Sequence, residues 1–136
     1  PSAGEFFDDF RSNTERGRYK KAAFELHQGV ERLYHCVLLV CTFYTPHVHN
    51  LGFLRTQAER LDMQLVDAWP RERREDRARF EKLKEAYVKA RYSKHYRITE
   101  EELVWLGACV EELGRAVHAI CSERVAELKE KVSAPA

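Results

Sequence analysis

Between residues 19 and 44 the apolar side chains recur at alternating spacings of four and three: Tyr19, Ala23, Leu26, Val30, Leu33, Val37, Val40 and Tyr44. A strand would place such positions on both faces. Only a helix of 3.6 residues per turn gathers them into one seam. The spacing therefore predicts one long helix with an unbroken apolar stripe. Within it, Cys36–Cys41 is apolar all round, which predicts a central helix covered on several sides. Thr45-Pro46 is the expected stop, because a residue before proline avoids the α region.

The rest of the chain repeats the pattern. Asn50 is placed to cap a short helix carrying Leu51, Leu54, Ala58 and Leu61. Asp62–Trp69 adds a further turn or two before Pro70. A third long segment, about Arg71–Arg91, turns Phe80, Leu83, Tyr87 and Ala90 inward. The fourth opens at Thr99, where Thr99 and Glu102 have capping-box spacing. Its stripe is Leu103, Leu106, Val110, Leu113, Val117 and Ile120, and it runs to about Lys131 before fraying through Ser133–Ala136. Glu5–Phe10 reads as a short lead-in helix whose Phe6, Phe7 and Phe10 pack on the bundle. Alternating strand patterns, internal repeats and low-complexity linkers are absent. The fold class expected is all-α: an antiparallel up-and-down four-helix bundle with additional short helices.

At 136 residues the chain is a single domain's length, enough to bury roughly two-thirds of its unfolded surface. The net charge of +1 creates no global pull toward nucleic acid, so any basic effect is local. The four cysteines, Cys36, Cys41, Cys109 and Cys121, form no Cys-x-x-Cys pair. All fall in helical apolar patterns, as buried free thiols of a reducing cytoplasm would. No segment reaches the roughly 18 uncharged apolar residues that span a bilayer, and there is no signal peptide at the start. The opening Pro1-Ser2-Ala3-Gly4, without an initiator methionine, leads us to expect a domain cut or trimmed from a longer protein.

The chemistry concentrates where the third helix ends. Arg91, Lys94, His95 and Tyr96 lie at a helix junction, and junctions expose side chains that helix faces bury. Arginine grips phosphate oxygens through two N–H groups. Histidine can take a proton from a ribose hydroxyl, and the start of the next helix adds free backbone N–H groups. Equally, cations at a helix C-terminus complement its dipole without any ligand. Glu31 is placed to meet Arg91 across the bundle mouth, either holding it for a ligand or neutralising it. His27, Glu31 and His35 recur every four residues, but the Glu-x-x-His spacing of a diiron bundle is missing. His47 and His49 share a loop with no third ligand evident. Neither a metal nor another cofactor is expected. The run Arg71–Arg79 holds five arginines and three acids, with Arg71 and Glu75 spaced to pair on a solvated helix. Trp69 and Trp105 read as core or interface packing.

Three segments together resemble a known family. Ala22–Val40 carries Gln28, Gly29, Val30, Glu31 and Arg32. Pro46 is followed by His49, Asn50, Leu51 and Leu54, and Tyr87–Tyr92 contains Tyr-x-x-Ala-Arg-Tyr. In this order they resemble the HEPN domains, over about residues 19–128. The resemblance implies an all-α bundle that forms homodimers and works beside a nucleotidyltransferase domain, in cis or as a partner in trans. In that setting it would bind a nucleotide or the transferase's substrate through Arg91, Lys94, His95, Tyr96 and Glu31. It also implies an alternative. Toxin-type members are metal-independent ribonucleases with an arginine and a histidine in one motif, which maps here onto Arg91 and His95 as catalytic residues acting on RNA. Here the two are closer together, with three residues between them. No Gly-rich phosphate loop and no Gly-Ser plus paired-aspartate transferase centre occurs in the chain, so such a centre is expected on the N-terminal side of a longer protein.

Overall fold

The computed structural model describes the backbone of residues 3–133 and the side chains of residues 6–133. Among these residues every element is helical: α1 (Ala3–Glu15), α2 (Tyr19–Thr42), α3 (Leu51–Glu59), α4 (Met63–Asp67), α5 (Arg74–Tyr92) and α6 (Glu100–Ser133). The all-α bundle expected from the periodicity is the fold observed, with the lead-in segment extended into a full helix.

Helix α2 is central and packs against α1, α3, α5 and α6. Its Leu26, Val30, Tyr34 and Val37 are fully buried, and burying each such side chain is worth about 1.5–3 kcal/mol. The α6 stripe from Leu103 to Ile120 is buried as its spacing requires. Two close approaches seat α1. A Cβ on Gly29 would stand 2.2 Å from the Phe6 ring, and one on Gly107 would stand 2.8 Å from Phe10. Only glycine leaves room for those rings. Tyr34, outside the four-three seam, anchors the far end. Its hydroxyl accepts the Trp69 Nε1–H at 2.8 Å, and Trp69 meets Phe80 edge-on at 4.9 Å.

The local start signals act as read. The Asn50 side chain accepts the Phe53 N–H at 3.1 Å, and Asp62 does the same for Gln64. Thr99 Oγ1 accepts the Glu102 N–H at 3.1 Å, while Glu102 Oε1 accepts the Thr99 N–H at 3.0 Å. Each cap is worth about 1 kcal/mol.

Three expectations need correction. Helix α2 ends at Thr42, short of Thr45-Pro46, because Phe43 turns left-handed with φ 60° and its N–H closes on Leu39. Tyr44 therefore leaves the seam and is exposed. Helix α5 begins at Arg74, so Arg71 lies before it and pairs with Glu59 of α3 rather than with Glu75. Of the cysteines only Cys109 is buried; Cys36 is exposed, and its Sγ lies 4.0 Å from that of half-buried Cys121. Ser133 closes α6, and residues 134–136, where fraying was expected, lie outside the described residues. No helix among the described residues is long and apolar enough to cross a membrane.

Candidate functional site

Arg91 is exposed in the last turn of α5. Its guanidinium carbon lies 4.6 Å from the centre of the Phe24 ring, 4.9 Å from that of Tyr87 and 5.1 Å from that of Tyr92. Its Nε–H donates to the Tyr87 carbonyl at 3.0 Å. Three aromatic faces and one carbonyl thus hold the planar fork. No carboxylate lies within ion-pair distance of it among the described residues, and its two terminal nitrogens are free of protein partners there.

Glu31 does not meet Arg91. It is 5% exposed, and both oxygens are taken from elsewhere. The Nδ1–H of His49 donates to Oε1, and Gln28 Nε2 donates to Oε2 at 3.2 Å. The early left-handed end of α2 makes this pairing possible by turning the chain back over its own helix. The Asn50 cap then fixes the backbone next to His49. The His49 ring stacks on Tyr87, with centroids 4.4 Å apart and planes 12° from parallel. Tyr87 is therefore a shared platform for His49 and Arg91.

His27 lies beneath this platform, fully buried, 5.3 Å from Tyr87 between ring centres and 3.9 Å from Glu31 Oε2. Burial lowers its pKa to about 4, outweighing the opposing pull of Glu31. It is neutral at pH 7, and its Nε2 has no hydrogen-bond partner.

The remaining expected residues are placed differently. Lys94 and His95 are exposed on the turn after α5, the His95 N–H donating to Ser93 Oγ at 3.2 Å. Tyr96, expected among the ligand-binding groups, is buried in the core and its hydroxyl donates to the Lys82 carbonyl at 2.8 Å. Burial pushes that hydroxyl's pKa up. Tyr96 thus acts as an anchor for the α5–α6 connection, helped by Lys82, which pairs with Glu102 at 2.8 Å. Lys20 of α2 donates to the Ser93 carbonyl at 3.3 Å, which ties the same turn to the central helix. Of the five expected site residues, Arg91 lies over the Tyr87 ring and Glu31 holds the His49 that stacks on it, while Lys94 and His95 are exposed on the turn that follows α5.

Sequence reasoning gave His49 no ligand-binding role, read Tyr87 as an inward residue of the third helix, and did not single out Phe24. The usable signal was the His49-Asn50 pair: a helix cap immediately after a histidine gives that histidine a defined direction. His35, the third member of the every-four series, is half-buried and also has an unpartnered Nε2. No group of three metal-ligating side chains occurs among the described residues.

A separate concavity lies elsewhere. A groove of about 780 Å³ runs between α1, α2 and α6, floored by Phe6, Leu33, Cys36 and Val117. Two of its three arginines are paired, Arg11 with Glu111 at 2.7 Å and Arg115 with Glu112, while Arg32 has no ion pair among the described residues. Arg91 differs from Arg32 in being held over aromatic rings.

A family model described as HEPN domain matches residues 2–120. A comparison with curated proteins finds no match. The match covers most of the chain, including every residue of the Tyr87 platform: the protein belongs to the HEPN domain family.

Proposed function

We propose that this HEPN domain is a nucleotide-binding and dimerisation module working beside a nucleotidyltransferase domain, fused on its N-terminal side or supplied by a partner. Its ligand is a nucleotide or the transferase's nucleotide-like substrate, and its setting is the cytoplasm. One observation carries the reading. Arg91 is clamped by three aromatic rings yet has no carboxylate partner among the described residues. A pre-oriented, unneutralised fork matches a phosphate group's two oxygens. Lys94 adds positive charge and His95 a ring N–H donor on the adjacent turn, and the Tyr92 ring, 74% exposed, offers a stacking face for a base. Because the platform is open, a second subunit closing over it would complete the pocket.

Calorimetric titration with ATP tests this. The wild type binds, and Arg91→Ala weakens binding roughly ten- to hundredfold, the range for losing hydrogen bonds to a charged group. The same variant unfolds at the wild-type temperature. Absence of binding to the wild-type dimer, or cleavage of RNA in EDTA that disappears in Arg91→Ala and His95→Ala, overturns the binding-module reading; the second result establishes the ribonuclease.

A further inference from the structure

The Glu31–His49 pair is more than a satisfied buried carboxylate. A carboxylate at 5% exposure is costly unless its hydrogen bonds are met, and here one of them comes from an imidazole that is itself 56% exposed. A carboxylate only accepts, so the bond requires the proton on Nδ1 of His49. In the neutral ring Nε2 is then a pure acceptor on the opposite edge. It has no hydrogen-bond partner among the described residues. The same orienting logic fixes imidazoles in catalytic triads.

The charged and titratable groups around the pair are Glu31 and neutral His27 of α2 and Arg91 of α5, with exposed His47 two residues away in the loop; Gln28 holds the other Glu31 oxygen and Tyr87 stacks on the His49 ring. Two groups of opposite hydrogen-bonding character share the Tyr87 ring. The donor-only guanidinium of Arg91 is 4.9 Å from its centre and the acceptor-bearing ring of His49 is 4.4 Å from it. A ligand matching both presents an acceptor group beside a hydroxyl donor. A sugar phosphate has that arrangement. A bare anion offers only the first half, and no group of three metal-ligating side chains occurs among the described residues.

We infer that His49, held by Glu31, is the sugar-reading residue of this site: its Nε2 accepts a hydrogen bond from a ribose hydroxyl while Arg91 holds the phosphate, so the site distinguishes a nucleotide that carries that hydroxyl from one that lacks it. The inference rests on the nucleotide reading above and adds the class of nucleotide. Glu31 is a positioning residue in this scheme, acting through His49.

The test compares ATP with its 2′-deoxy and 3′-deoxy forms by calorimetry. In the wild type at least one deoxy form binds about three- to tenfold more weakly, the range for one neutral hydrogen bond. In His49→Ala that ratio falls to one while ATP still binds through Arg91. In Glu31→Gln the ratio shrinks, because an amide no longer dictates which ring nitrogen carries the proton. Should either variant fail to fold, long-range ¹⁵N spectra of the wild-type histidines replace it: ATP shifts the His49 Nε2 resonance and the discriminated deoxy form does not. Equal affinity for all three nucleotides, or a ratio that survives in His49→Ala, overturns the inference and leaves the nucleotide reading standing. Failure of all three to bind the wild type overturns both.

Discussion

Two ends of the bundle solve the same problem differently. At one end Arg55 sits over Phe80 at 4.4 Å and donates to Glu59 at 3.1 Å, while Arg71 grips the same carboxylate with two N–H groups at 2.9 and 2.7 Å. At the other end Arg91 also sits on aromatic rings, but the nearby carboxylate, Glu31, is given to His49. An aromatic seat therefore does not tell a structural arginine from a binding one. What separates them is whether the fold supplies a counter-charge. The Glu59 end is complete within the chain, and the pairing raises the pKa of Arg71 further above its already high value. The Arg91 end has no counter-charge among the described residues, and the nucleotide proposed above would supply one.

The contrast can be broken first at the closed end. Glu59→Ala removes the only carboxylate shared by Arg55 and Arg71, both partly buried. Breaking such a cluster from one side costs about 3–4 kcal/mol. Urea unfolding should show that loss with ATP binding unchanged; a loss below 1 kcal/mol would mean that the closed end is not a structural clasp.

Acid probes the open end at slightly smaller cost. The folded pKa of His27, about 4, lies below its ordinary 6.5. The unfolded chain thus takes up a proton that the native state refuses, and stability falls as pH drops from 6.5 toward 4 and levels below. The shift corresponds to about 3 kcal/mol. Unfolding free energies at pH 7 and pH 4 should differ by that amount more in the wild type than in His27→Phe. Equal differences would show that His27 is not the acid-sensitive group beneath the platform.

Much of the bundle was legible because helical signals are local. The four-three seams of Tyr19–Val40 and Leu103–Ile120, the Asn50 cap, the Thr99–Glu102 box and the stop at Pro70 each need only a few neighbouring residues. The site was half legible. Arg91 was found from its place at a helix end, and Glu31 from its place on the central helix. Their presumed partnership was wrong, since pairing across elements depends on how the intervening chain turns. Phe43 adopts a conformation usually left to glycine, ends α2 early and brings His49 to Glu31. Tyr96 misled for a related reason. It follows a run of exposed polar residues, yet the chain folds its ring under α5 to reach the Lys82 carbonyl. Arg71 was assigned to Glu75 by helical spacing, but the helix had not yet begun.

The open arginine is tested most directly by nuclear magnetic resonance of the ¹⁵N-labelled protein titrated with ATP, following backbone amides and the arginine Nε–H signals together. The account predicts that Arg91 Nε–H and the amides of Tyr92–His95 and His49 move, while Arg55 and Arg71 stay fixed. Shifts centred on Arg71 and Glu59 or on the groove between α1 and α6, with Arg91 unmoved, would contradict it.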